Sequence, residues 1–164
     1  MDRSPELDLL PFAESHGRVI IAHSPLAKGL LSGRYHEANR PTNRGRATDP
    51  LFNAENLGRA EHLITVMRDV ADAHSATPAQ IALAWVIHRP GVAAITGASS
   101  VEQLESNVAA AEIELDDDEY QALQTVSSQL FPTAVRHDSV LGALRHCARG
   151  GKYLARTVSQ DHMR

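Results

Sequence analysis

Two short apolar runs constrain this chain more than anything else in it. Residues 18–22 (RVIIA) and 92–96 (VAAIT) are its convincing strand candidates, and helical patterns flank both. Each run is short and apolar, and each meets turn-forming residues, Gly17 and Pro25 around the first and Gly97 after the second. That texture predicts buried parallel strands. The order helix, strand, loop, helices, strand, helix, helix belongs to the α/β class. Two strands make a poor independent sheet, however, and a parallel sheet needs cover on both faces. The pattern predicts part of a larger α/β fold.

The helices announce themselves by caps and spacing. Ser4-Pro5, followed by Leu7, Leu9, Leu10, Phe12 and Ala13, predicts a helix that Gly17 ends. Between Ala60 and Ala73, Leu63, Ile64, Val66, Met67, Val70 and Ala71 recur at helical spacing. Thr77 as a cap with Pro78 in the first turn restarts a helix that runs to Pro90-Gly91. Trp85 and Met67 are assigned to the core. Ser99 or Ser100, with Glu102 and Gln103 downstream, opens a helix reaching about Ala111. Asp116 to Gln129 is predicted as another, acidic in the first turn where the helix dipole favours it. Residues 23–58 form a long glycine-containing connection of the kind that carries function or moves.

Charge divides the chain. Residues 1–130 hold ten Lys/Arg against eighteen Asp/Glu, whereas residues 131–164 hold six against two. The sequence is therefore divided into a body, 1–130, and a divergent basic tail, 131–164, partly helical or disordered. In the tail, Val140, Leu141, Leu144 and Cys147 or Ala148 make one apolar stripe. A net charge of -4 gives no reason to expect nucleic acid or an anionic membrane. One cysteine excludes an internal disulfide framework. No apolar run approaches the ~20 residues of a membrane span, and the first residues do not resemble a secretory signal. The expectation is a cytoplasmic protein without nucleic-acid or membrane partners. The nine histidines include no HxxxH or HExxH pattern, so no metal ligands are assigned.

Three segments carry chemistry. His23-Ser24-Pro25-Leu26-Ala27-Lys28-Gly29 leads on to Ser32-Gly33-Arg34-Tyr35 from the end of the first strand. Thr77-Pro78-Ala79-Gln80-Ile81-Ala82 opens a helix. Thr96-Gly97-Ala98-Ser99-Ser100 continues into a helix bearing Gln103 and Asn107. A glycine turn with hydroxyls at a helix start presents N–H groups and the positive dipole end to an anion. Gln103 and Asn107, four apart, share one helix face. Arg34, Arg44 and Arg46 offer planar forks that suit phosphate oxygens.

In this order and spacing the three segments resemble the C-terminal half of the aldo-keto reductase family, continuously from about Asp2 to Ser127. The resemblance implies a partial (β/α)8 barrel, comprising its last two strands with their helices, and an NADPH-dependent carbonyl reductase as the whole enzyme. It implies that His23, Ser24, Pro25, Leu26 and Gly29 lie near nicotinamide and phosphates, and that Arg34 and Arg46 are the basic contacts. Gly97, Ser99, Gln103 and Asn107 would then hold the adenosine end. His23 stands where an aromatic residue is usual, and Ser99 where many members carry Lys or Arg. The family's catalytic Asp, Tyr, Lys and His come from strand ends outside this match, and Tyr35, Tyr120 and Tyr153 lack the family's catalytic context. No catalytic residue is assigned. Two alternatives stand beside a cofactor half that is inactive alone. One is a binding module completed by a complementary half-barrel or by self-association; the other is a non-functional remnant.

Overall fold

In the computed structural model, residues 3–130 are described. The tail expected over residues 131–164, with its apolar stripe and Cys147, lies outside the described residues.

The strands are β1, Ile20–His23, and β2, Val92–Ile95. They pair in parallel, with Ile20 opposite Val92 and His23 opposite Ile95. Among the described residues this two-stranded sheet stands alone. β1 starts two residues later than predicted, because the Arg18 N–H is still bonded to the Ala13 carbonyl in the turn that ends the first helix. At its other end the strand includes His23, paired opposite Ile95.

The expectation of buried strands needs correction. Both strands alternate between half-buried and exposed residues. Ile20, Ala22, Val92 and Ala94 are half-buried, while Ile21 and Ile95 are 65% and 60% exposed. An apolar run on a parallel strand is suited to cover on both faces. Here α4, Pro78–Ile87, packs against β2, while one set of side chains on each strand remains open.

The predicted first helix is two pieces: a 3-10 turn at Ser4–Glu6, then α1, Leu9–Ser15, whose cap is Asp8. Gly17 follows α1 at φ +59, the left-handed position that ends helices. The connection from β1 contains 3-10 turns at Ala27–Ser32 and Pro50–Phe52 and the short α2, Arg44–Ala47. The helix predicted from Ala60 begins earlier, as α3, Ala54–Ala73, because the Asn53 side chain accepts from the Asn56 N–H. Gly58 inside it does not break it.

Thr77 caps α4 as expected, within a reciprocal box in which Gln80 returns a bond to the Thr77 N–H. Helix α5 is Val101–Ala109, followed by a 3-10 turn at Ala110–Glu112. Helix α6, Asp117–Ser128, carries a second box between Asp116 and Glu119. His74, the cap residue after α3, shares both Glu119 oxygens at 2.9 Å and so ties the end of α3 to the start of α6. The core lies among α3, α4 and α6, with Leu63, Met67, Ile81 and Leu123 fully buried and Trp85 nearly so. No helix of the described residues is long and apolar enough to cross a membrane.

Candidate functional site

Parallel pairing sends both strands out at the same edge. His23 opposite Ile95 makes Ser24 and Thr96 the first residues beyond that edge. The two chemistry-bearing connections, 24–29 and 96–100, therefore start side by side, although they lie seventy residues apart in sequence. This is the edge at which open α/β sheets gather ligands.

The β1 connection is tightly wound. Ser24, Ala27, Lys28 and Gly29 have φ of +53, +47, +58 and +98. Left-handed backbone costs an ordinary L-residue roughly 1–2 kcal/mol, so three non-glycine positions in six residues need compensation. Part comes from the turn itself: the Ala27 N–H donates to the Ser24 carbonyl at 2.9 Å, and the Gly29 N–H to that of Leu26 at 2.8 Å. Lys28 is also contacted from residues 44–49. The Arg46 Nε donates to the Lys28 carbonyl at 2.9 Å, and the Lys28 ammonium lies 2.5 Å from the Asp49 carboxylate. Burial pushes the Asp49 carboxyl up, but the Lys28 hydrogen bond, the Leu51 N–H and the Lys28 charge outweigh it and hold it below its ordinary value. Gly33, at φ +70, turns the chain so that Arg34 emerges exposed.

The β2 connection is held by amide side chains. Ser100, not Ser99, caps α5 by accepting from the Gln103 N–H at 3.3 Å. Ser99 directs both its N–H and its hydroxyl to Gln103 Oε1, each at 2.8 Å. Asn107 Nδ2 donates to Thr96 Oγ1 at 3.2 Å. Gln103 and Asn107 thus share a face, as their spacing predicts, and that face turns back toward the connection. A side chain added at Gly97 would meet nothing, so the loop is open there. The Glu102 carboxyl beside it is held below its ordinary value by its own N–H and the Ser100 hydroxyl.

The structure brings His23, Ser24, Pro25, Leu26 and Gly29 to one strand end, and Gly97, Ser99, Gln103 and Asn107 to the other. Arg46 joins the first group through the Lys28 carbonyl. The guanidinium groups of Arg34 and Arg44 belong to exposed residues. Sequence reasoning passed over Lys28 and Asp49. Lys28 lay inside a quoted motif, but its partner is twenty-one residues away and no local pattern links them.

A parallel strand pair connected through helices defines the class as part of an α/β fold. The family follows from comparison: the chain belongs to the aldo/keto reductase family, whose model matches residues 1–128. It is 54% identical over 127 residues to an uncharacterized oxidoreductase of Mycobacterium tuberculosis H37Rv, covering 77% of this chain and 39% of that one. Among solved structures it is similar to the glycerol dehydrogenase AKR11B4 from Gluconobacter oxydans, with 26% identity and a TM-score of 0.71, over 82% of this chain and 41% of that one. It is also similar to the thermostable aldo-keto reductase Tm1743, with 32% identity and a TM-score of 0.56, over 76% and 36%. The chain spans about two fifths of the length of these relatives.

Proposed function

We propose that the carboxyl edge of β1 and β2 is the dinucleotide-binding part of an aldo-keto reductase, with NADPH the cofactor the resemblance implies. The observation that supports this most is the parallel register, which aligns the Ser24–Gly29 and Thr96–Ser99 connections at one edge. On this reading His23, Ser24, Pro25, Leu26 and Gly29 meet the nicotinamide and phosphate portion. Arg34 contacts phosphate, and Arg46 shapes the loop that receives it. Gly97, Ser99, Gln103 and Asn107 take the adenosine end. The residues suit such a ligand: Arg34 and Arg44 extend from an exposed surface, Gly97 leaves open space, and α5 turns its N-terminus toward the edge. The cofactor supplies the hydride that reduces an aldehyde or ketone, and the chain's residues bind and orient it. The body, residues 1–130, carries all of these groups.

The chain alone is expected to bind but not to reduce. Calorimetric titration with NADPH should saturate, and Gln103→Ala should raise Kd about tenfold by removing paired hydrogen bonds. Steady turnover of an aldehyde panel by the purified chain would contradict the inactive-alone reading.

A second reading is a module completed by a complementary half-barrel or another copy. The open face bearing Ile21 and Ile95 favours it, as does the exposed stripe Val101, Leu104 and Val108 on α5. Sedimentation showing monomer at all concentrations would remove self-association. Flat NADPH titrations together with aggregation would leave the remnant reading in place.

A further inference from the structure

The left-handed run after β1 departs from the backbone that ordinary residues prefer. Ala27, Lys28 and Gly29 are consecutive, and two of them carry a Cβ that disfavours this backbone. Their two outside supports reach the same residue. Arg46 fixes the Lys28 carbonyl from α2, and Asp49 fixes the Lys28 ammonium from just beyond it. Arg46 is itself set in place because its N–H donates to the Asn43 cap at 3.0 Å. Asp49 is set by the Leu51 N–H, which donates to its other oxygen, Oδ1, also at 3.0 Å. The clasp joins positions eighteen and twenty-one residues apart, and its carboxylate is mostly covered, with a side chain 16% exposed.

We propose that Arg46 and Asp49 are positioning residues, whose clasp on Lys28 holds the strap Ala27–Gly29 in the shape that receives the phosphate portion of the dinucleotide. This rests on the dinucleotide reading above. Neither residue has to touch the ligand. Both act through Lys28, by holding the turn in the left-handed shape in which it leaves the β1 edge. Loss of the clasp frees the left-handed residues to relax toward ordinary backbone, and the ligand must then restore the turn as it binds.

Two substitutions of Asp49 separate the clasp from its local capping role. Asp49→Asn keeps an oxygen for the Leu51 N–H and removes the charge that pairs Lys28. Asp49→Glu keeps the charge and moves it away from Leu51. Hydrogen exchange on the full chain reads the strap directly, at the Ala27 and Gly29 amides. Asp49→Asn should speed exchange there about threefold, the scale expected for loss of an ion pair whose lysine is 58% exposed. Amides of α3 and α4 should stay as in wild type, Asp49→Glu should restore slow exchange at the strap, and the NADPH Kd should rise only in Asp49→Asn. Slow exchange in the Asn variant with fast exchange in the Glu variant would assign Asp49 to capping alone and overturn the proposal. Faster strap exchange with an unchanged NADPH Kd would overturn the positioning role. A wild-type chain that binds no NADPH would sink the dinucleotide reading and the positioning role with it, while exchange would still decide whether the clasp exists.

Discussion

The helical layer and the sheet side of this molecule are finished to different degrees. Among α3, α4 and α6, large apolar side chains are fully enclosed, the caps of α4 and α6 are reciprocal, and His74 with Glu119 ties two helices together. On the sheet side, Val19, Ile21 and Ile95 are exposed, and α5 buries no residue of its own although it has a clear apolar stripe. The contrast locates where stability resides and where ligand or partner binding has room. A chain can complete one layer of a barrel's packing while its strands remain open.

The sharpest way to break this contrast is to shave one side chain from each layer. Leu63→Ala removes a side chain with 0% exposure and should cost about 2–5 kcal/mol in denaturant unfolding. Ile21→Ala, on the open face, should change stability by about 0.5 kcal/mol or less. Equal costs would mean that the sheet face is covered in the protein as it exists in solution. Next in size is the box at α4: Thr77→Ala should cost about 1 kcal/mol, because it leaves the Gln80 N–H without its cap.

Acid should act on the β1 connection through Asp49. The Asp49 carboxyl lies below its ordinary value of 3.8, so its contribution is complete above about pH 4 and is lost as pH falls through the lower folded value. Strap amides monitored by NMR should loosen over that interval in wild type, and the step should be absent in Asp49→Asn. The smallest effect belongs to α5. Leu104→Ser, at a residue 54% exposed, should leave unfolding nearly unchanged and weaken any self-association seen by sedimentation.

Legibility in the sequence followed the same divide. Helix α4 was readable because its signals are local: Thr77, Pro78 and Gln80 lie within four residues. Helix α6 was readable for the same reason, through Asp116 and Glu119. The α3 start was missed because Asn53 caps it across a stretch that reads as loop, and Gly58 disguises its first turns. Both strands and their parallel relation were legible from their texture, but their exposure was not. Apolar composition records what a strand is suited to pack against, whereas burial depends on the elements that cover it. In the site, Gln103 and Asn107 could be paired by spacing alone. The clasp of Arg46 and Asp49 on Lys28 was not legible, because it depends on a turn of left-handed residues that only the folded chain displays.

The central claim is that the two strand-end connections form one dinucleotide site. Its most direct test is a calorimetric titration of the full chain with NADPH, beside the Gln103→Ala and Arg34→Ala variants. Saturable binding by wild type, weakened by changes on both the β2 and the β1 side, is the expected result. A flat wild-type trace, or binding that neither substitution alters, would contradict it.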